Sequence, residues 1–479
     1  MRIPEKQNDI RSQERSFHDG SVRLVKALAV LLAVIPFAAC WYGYYSMQIF
    51  LSPSSIRSAG IVLMFAVLYT FFGQAYDAFQ LSFKRSLGLF FSQTLAVLLA
   101  DGFMYIVLWL MSGAFPFIPP ALAALAGQLI LSALWCKLAN VWYFNKFGGA
   151  RMGIIYNTRQ DIEEMPDLNF SGFGEHGTNK KFDVQFACSA DECFELDMHN
   201  LDGLDTVFLC GVHSHERNLI MKYCVANKIS VYLIPRIGDV IMGGARRVHM
   251  FHLPVMCVDS YSPPIEYALA KRLFDIVASL IGIVLTSPIM LVVAIAIKAC
   301  DGGPVFYKQV RLTKDGKEFN MLKFRSMRTD AEKDGVARLS TGVNDSRITP
   351  VGRIIRACRV DELPQLFNIL GGSMSVVGPR PERPEIAAQY EEEMPEFRLR
   401  LQAKAGLTGY AQVYGKYNTI PYYKLQMDLM YIANPSILED LSIIFATIKV
   451  LFIKESTEGI ADGQTTAADK EKSEEMSHV

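Results

Sequence analysis

Two adjacent carboxylates, Asp361 and Glu362, stand just ahead of a proline in the run Asp361-Glu362-Leu363-Pro364-Gln365-Leu366. Proline is tolerated in the first turn of a helix, so the run predicts a helix starting near Pro364, with both carboxylates at its positive end. Free N–H groups and the helix dipole there would keep the carboxylates ionised and attract phosphate. An ionised aspartate is a competent nucleophile for phosphorus, and a neighbouring carboxylate can hold Mg2+ against phosphate oxygens. Taken alone, such a pair more often only caps a helix. Its surroundings shift the balance. Arg353, Arg356 and Arg359 recur every three residues upstream, which on a helix places them near one face. Lys323 and Arg325 flank Phe324 further upstream, and Gly378-Pro379-Arg380-Pro381 follows downstream. Pro379 and Pro381 fix the backbone around Arg380, so its planar fork is pre-aimed at a phosphate or a base. Together these pieces describe a site for a diphosphate.

The elements that must position this site include membrane segments. Of 479 residues, 51% are hydrophobic, which predicts a membrane protein with attached soluble parts. A formal net charge of zero gives no reason to expect nucleic acid. Nine cysteines without CxxC or CxxH pairs point to buried or free thiols in a reducing compartment. The first 22 residues are polar and the apolar stretch after them is too long for a signal sequence, so no cleavable signal is expected. Apolar stretches at about Leu24–Tyr45, Ile56–Tyr76, Leu87–Met111 and Phe117–Val141 each approach the ~20 residues that cross a bilayer core. Arg11, Arg15, Arg23 and Lys26 precede or open the first, Lys84 and Arg85 separate the second and third, and Lys137, Lys146 and Arg151 close the fourth. The two remaining loops carry no Lys or Arg, with Arg57 at the edge of the second stretch as the one exception. Positive residues stay inside, so the N-terminus and everything after Tyr143 are expected in the cytoplasm.

Between residues 149 and 262, short strands alternate with helices. Candidate strands are Met152–Tyr156, Phe182–Ala187, Thr206–Gly211, Ser230–Ile234 and Val255–Val258. This alternation predicts a Rossmann-like α/β layer with a parallel sheet. The first strand leads into Tyr156-Asn157-Thr158-Arg159 rather than a GxGxxG loop. Tight binding of NAD or ATP is therefore not expected, and the domain is read as structural, regulatory or a support for a homodimer. A fifth apolar run, Leu273–Ile297, has Lys271 and Arg272 before it and Lys298, Lys308 and Arg311 after it. A full crossing would put Asp361 on the outer face. Ser287 and Pro288 near its middle predict instead a re-entrant helix, residues 271–298, that dips into the inner leaflet and turns there.

Gln309-Val310-Arg311, Lys323-Phe324-Arg325-Ser326-Met327, Asp361 through Asn368 and Gly378-Pro379-Arg380-Pro381 resemble the bacterial sugar transferase family. These are the monotopic polyprenyl-phosphate phosphoglycosyl transferases that start exopolysaccharide, capsule and O-antigen synthesis. The match covers roughly Lys271 to Lys454, and the leading spans plus an α/β domain look like the large members of that family. The resemblance implies a UDP-sugar donor, an undecaprenyl phosphate acceptor, Mg2+ and a two-step route through a phosphosugar-aspartate. By position, Asp361 would be the nucleophile and Glu362 the Mg2+ partner. Arg356 and Arg380 match positions linked to phosphate and nucleotide binding, and Lys323 and Arg325 match the basic motif near the active centre. The family's Ser-Pro break matches Ser287-Pro288. Two departures stand out: Ser373 replaces a usual aspartate, and Thr313 stands where a glycine is expected.

The expected architecture is thus a four-helix transmembrane region (1–148), a cytoplasmic Rossmann-like α/β domain (149–262), a mainly α catalytic domain with its re-entrant membrane helix (263–458), and a disordered tail (459–479). Expected partners are a UDP-sugar, a polyprenyl phosphate, membrane lipid and a second copy of the chain. Two rival functions fit the same residues: a membrane scaffold with a dead catalytic domain, and a nucleotide-sugar hydrolase. Glucose, galactose and an N-acetylated hexosamine all remain open as the sugar.

Overall fold

From about Gly20, helices whose membrane-length stretches are apolar all round, rather than along one stripe, form the first part of the chain. Helix α1 (Glu5–Cys40) continues through a π turn (Trp41–Tyr45) into α2 (Ser46–Phe50), followed by α3 (Ile56–Ala75), α4 (Ser86–Ser112) and α5 (Pro119–Phe147). The computed structural model describes residues 5–50, 56–81, 86–158, 182–261, 263–328, 347–415 and 420–451, with side chains from residue 20 onward except 301 and 449–451. The expectations for Lys84, Arg85 and Arg159, and for the tail, lie outside those residues, and those for the Arg11 and Arg15 side chains lie outside the described side chains. Among the described residues, five helices are long and apolar enough to cross a membrane, which marks a membrane protein. In lipid, helices associate through close packing and internal hydrogen bonds rather than hydrophobic drive. Accordingly Leu31, Leu63, Val67, Leu110 and Leu134 face outward, while Ala29, Ala33, Ala96, Ala100, Gln93 and Gln128 are buried. Gln128 Nε2 donates to Ala33 O (3.1 Å), Trp135 Nε1 to Val25 O (3.1 Å), and the Tyr69 hydroxyl to Gln93.

The chain divides into two compact units, Met1–Ile234 and Pro235–Val479. The first also contains strands β1 (Ala150–Tyr156), β2 (Phe182–Ser189), β3 (Thr206–Cys210) and β4 (Ser230–Leu233), with helices α6 (Ala190–Glu195) and α7 (Ser214–Ala226). They form a parallel sheet in the order β2-β1-β3-β4. Both faces of central β1 are covered, so four residues in a row, Met152 to Ile155, are buried. Gly153 has a packing reason: a Cβ there would lie 2.7 Å from Leu204 Cδ1 and 3.0 Å from the Phe186 ring.

The expected strand at Val255–Val258 is not part of this sheet. Helix α8 (Ile237–Gly243) is too short for a crossover and buries Val240 in the core of the second unit instead. The chain then forms a local hairpin: β5 (Arg246–Met250) pairs antiparallel with β6 (Leu253–Cys257) around Phe251 and His252, both at positive φ.

The second unit is organised around helix α9 (Ile265–Asp301), which contains the fifth apolar run. The expected turn at Ser287-Pro288 is absent: the helix runs through both residues. Pro288 cannot donate to the carbonyl four residues back, that of Val284, but Ser287 Oγ donates to it at 2.8 Å. Thr286 Oγ1 likewise donates to Gly282 O at 2.7 Å. With the orphaned carbonyl satisfied, the helix has no need to break in an apolar setting. The N-terminal half of α9 is latched by polar contacts. Lys271 Nζ lies 2.9 Å from Asp440 Oδ2, and Asp275 Oδ1 accepts from Ser375 Oγ (3.1 Å) and Val376 N (2.9 Å). Its C-terminal half packs Met290, Val293 and Ile297 against Phe324 and Ile355.

Around α9 lie the hairpin β7 (Phe306–Leu312) and β8 (Glu318–Phe324), helices α10 (Pro350–Ala357) and α11 (Gln365–Gly371), and strand β9 (Ser375–Val377). Then come α12 (Pro384–Glu393), a 3-10 segment (Pro395–Gln402), β10 (Gly406–Thr408), α13 (Tyr410–Tyr414), α14 (Pro421–Ala433) and α15 (Ile437–Leu451). Arg272 donates to Ile369 O and Leu370 O at the end of α11 (2.8 and 2.9 Å), a cation where the helix dipole favours one.

Candidate active site

The two carboxylates sit on a tight 3-10 turn, Val360–Glu362, between α10 and α11. The helix expected to start near Pro364 is α11, which begins at Gln365 with Pro364 at its N-cap, and the carboxylates lie just ahead of it. The arginine stripe is interrupted. Helix α10 carries Arg353, which is exposed, and Arg356, which is half-buried, but it ends at Ala357. Arg359 adopts the left-handed conformation (φ 54, ψ 21) and reverses the chain into the carboxylate turn. A non-glycine residue there costs roughly 1–2 kcal/mol, strain of the kind that clusters at functional sites.

Neighbouring elements fix this turn by backbone contacts. Thr349 caps α10 by accepting from Gly352 N (2.9 Å), and its own N–H donates to Ser326 O (3.0 Å), tying α10 to the end of β8. Any Cβ at position 352 would lie 1.9 Å from Ser326 O, which requires the glycine. On the other side, Asn368 uses both ends of its amide on β8, accepting from Leu322 N and donating to Asn320 O, each at 2.9 Å. Asn368 therefore behaves as a short extra strand, holding α11 against the strand that carries Lys323. The family departures meet in space: Thr313 Oγ1 donates to Ser373 O (3.0 Å) and accepts from Ala405 N (3.2 Å).

Three of the sequence-predicted cations converge on the carboxylates. Lys323 Nζ lies 3.2 Å from Glu362 Oε1, and Arg380 Nη2 lies 3.7 Å from the same oxygen. Arg356 is close enough to Asp361 to act on its charge. Pro379 and Pro381 are buried while Arg380 between them is exposed. Arg325 is placed differently. It is buried, with its guanidinium over Gly303, where a Cβ would lie 2.1 Å from Nη1, so it packs the α9–β7 junction rather than facing the turn.

The two carboxylates hold a proton with different strength. Burial and the adjacent Glu362 charge raise Asp361 to about 6, with Lys323 and Arg356 pulling the other way. Burial would raise Glu362 as well, but Lys323, Arg380 and Arg359 overcome it and hold it at about 2. One group is poised and the other permanently charged, a division suited to a nucleophile beside an electrostatic partner. Among the described residues, no group of three His, Cys, Asp or Glu is placed to hold a metal. Both cations lie nearest Glu362 Oε1, not Oε2.

Sequence reasoning missed Arg400, Glu382 and Asp428, which lie beneath the Arg380 loop. Arg400 Nη2 lies 2.7 Å from Asp428 Oδ2, and both side chains are buried. The signal was present: Asp428 shares the helical spacing of buried Leu425, Leu429 and Ile432, a lone acid on an apolar face.

Residues 266–454 match the family model described as bacterial sugar transferase. A UDP-N-acetylgalactosamine-undecaprenyl-phosphate N-acetylgalactosaminephosphotransferase of Aeromonas hydrophila is 39% identical over 231 residues, 48% of this chain and 53% of that protein. A UDP-glucose:undecaprenyl-phosphate glucose-1-phosphate transferase of Klebsiella pneumoniae is 43% identical over 191 residues, 39% of this chain and 41% of that protein. The chain thus spans about half the length of these two relatives. The exopolysaccharide production protein PSS of Rhizobium leguminosarum bv. phaseoli is 44% identical over 187 residues, 37% of this chain but 92% of that protein. The part of the chain that builds the carboxylate turn is thus nearly a whole relative, and the chain belongs to the bacterial sugar transferase family.

Proposed function

We propose that this protein transfers a hexose 1-phosphate from a UDP-sugar to undecaprenyl phosphate, releasing UMP, through a phosphosugar-aspartate intermediate. One observation carries this: a poised carboxylate, Asp361, stands beside a charged one, Glu362, with Lys323, Arg356 and Arg380 gathered around them. An Asp361 oxygen attacks the sugar-bearing phosphorus, and the bond from that phosphorus to the bridging oxygen of UMP breaks. An oxygen of the lipid phosphate then attacks the same phosphorus and frees the aspartate. Arg356 Nη1 is buried without a hydrogen-bond partner among the described residues, which suits an acceptor oxygen that arrives with the substrate. Arg380, at the rim, suits the nucleotide side. Mg2+, when bound, supplies charge neutralisation on the diphosphate; Glu362 would hold it, helped by the donor's own oxygens because Lys323 and Arg380 already offset this carboxylate.

Asp361 and α9 bear on where this happens. The basic residues flanking α9, and its contacts at both ends with the one domain, support a helix that enters and leaves on the cytoplasmic side. Relatives named for glucose and for N-acetylgalactosamine match at similar identity, so the donor is read as a UDP-hexose of either kind.

Membranes containing the protein are incubated with UDP-glucose, UDP-galactose and their N-acetylated counterparts, with and without undecaprenyl phosphate, and UMP is measured. Release of UMP that depends on the lipid is expected with at least one donor. Free sugar phosphate formed without lipid would indicate a hydrolase, and no release from any donor would refute the transfer reaction.

The charge state of Asp361 fixes the pH response. Only the ionised form attacks phosphorus, so kcat/KM for the UDP-sugar should fall as pH drops through about 6, close to tenfold per unit below it. Glu362→Gln removes the neighbouring charge that raises Asp361, so any residual activity should keep its acid limb at lower pH. An acid limb near 4 in the unsubstituted enzyme would contradict the assignment.

A further inference from the structure

Three successive carbonyls of the Arg380 loop are pinned from within the domain. Gly406 N donates to Pro379 O at 2.9 Å, Arg400 Nη2 to Arg380 O at 2.9 Å, and Arg311 Nη1 to Pro381 O at 3.0 Å. Arg400 is anchored in turn: Nη2 lies 2.7 Å from Asp428 Oδ2 on α14, and Nη1 lies 3.7 Å from Glu382 Oε1. Its side chain is 6% exposed and that of Asp428 2%. A cavity of about 10 Å3 lies under the loop, lined by Pro379, Arg380, Pro381 and Arg400 among others. It has room for roughly one water, so the loop is not packed solid from below and its three carbonyl hydrogen bonds set its course there. Above it, the Arg380 side chain is 47% exposed yet reaches to 3.7 Å from Glu362 Oε1. An exposed arginine on a loose loop would gain little from such a contact.

Resting on the transfer reaction proposed above, we infer that the buried Arg400–Asp428 pair is a positioning device for Arg380, setting its loop so that the guanidinium faces the donor's diphosphate beside Asp361. Neither residue touches a reacting atom. The choice of residue types follows from geometry. A guanidinium carries five donors in a fixed fork, so one side chain can hold a backbone carbonyl, Glu382 and Asp428 in a single arrangement. A buried ion pair is a poor source of stability, since two well-packed apolar side chains often do as well, but it fixes direction in a way they cannot.

That contrast supplies the test. Arg400→Met combined with Asp428→Leu removes both charges together and, with them, the donor to Arg380 O. The melting temperature is expected to stay near that of the unsubstituted protein. The kcat/KM for the UDP-sugar is expected to fall about 10–100-fold, the scale of a misplaced binding group. In an Arg380→Ala background the same double change should cost nothing further, because the side chain it acts through is gone. Should the double variant fail to fold, Asp428→Asn, which keeps an oxygen for Arg400, gives the same comparison with a smaller loss. A folded variant with unchanged kcat/KM, or a loss equally large in the Arg380→Ala background, overturns the positioning role. If the unsubstituted protein releases no UMP, the reaction and the positioning role fall together; if it does and the variant matches it, only the positioning role falls.

Discussion

Asp361→Asn should leave a folded protein whose UMP release is lost by on the order of 10⁴-fold or more. An amide keeps the shape of the carboxylate but is a far poorer nucleophile, so no phosphosugar adduct can form. Stability should move the other way. Asp361 has a folded-state pKa raised from its ordinary value to about 6, so the stability it contributes is fully present below its unfolded pKa and is lost as pH rises through about 6. At pH 7.5 the ionised group opposes folding, and a neutral amide relieves that cost; the variant should melt no lower than the parent. Glu362 has the opposite sign. Its pKa is held at about 2, so its contribution is present above its ordinary value and is lost only as pH falls through about 2. Glu362→Gln should therefore lose both activity and stability at neutral pH. Isolation of a phosphosugar adduct on any residue other than Asp361 would sink the assignment.

The second large effect is all-or-none. Single cysteines placed near Lys271 and near Lys308, in a background without the nine native cysteines, should both escape an impermeant thiol reagent added outside the cell. Helix α9 is long enough to span a core of ~30 Å at about 1.5 Å per residue, and length alone favours crossing. Against that stand basic residues at both ends and partners for both halves in one domain: Asp440 and Ser375 for the first, Phe324 and Ile355 for the second. A crossing helix would have to leave one set of partners behind. Labelling near Lys308 would make α9 an ordinary fifth span and would separate Asp361 from cytoplasmic donors.

Much of this was legible in the sequence where composition acts locally. Long apolar runs became α1 and α3 to α5, and four short runs became β1 to β4 of one parallel sheet. Val255–Val258 misled because a short apolar strand carries no label for its partner; pairing with Arg246–Met250 across a two-residue turn was as available as pairing with the sheet. Ser287-Pro288 was read as a turn because proline removes a donor, but spacing does not show that the preceding hydroxyl reaches the one carbonyl left open. Lys323, Arg356 and Arg380 were found because each sits beside proline, aromatic or repeated-cation signals. Their distances to the carboxylates, and the raised pKa of Asp361, depend on tertiary burial that no window of residues contains.

The latches on α9 also impose a schedule. Asp275 is buried, yet its partners Ser375 and Val376 lie 100 and 101 residues later in the chain, and the Asp440 partner of Lys271 lies 169 residues later. At about 5–20 residues per second of synthesis, the Asp275 carboxylate waits roughly 5–20 s for its first partner. α9 needs neither partner to satisfy its own backbone, because Ser287 closes the gap left by Pro288. Its charged end must stay in water until Ser375 emerges. On the re-entrant placement proposed above, the depth of this helix in the bilayer is decided late, by the domain closing over its charged end, and not at the moment of insertion.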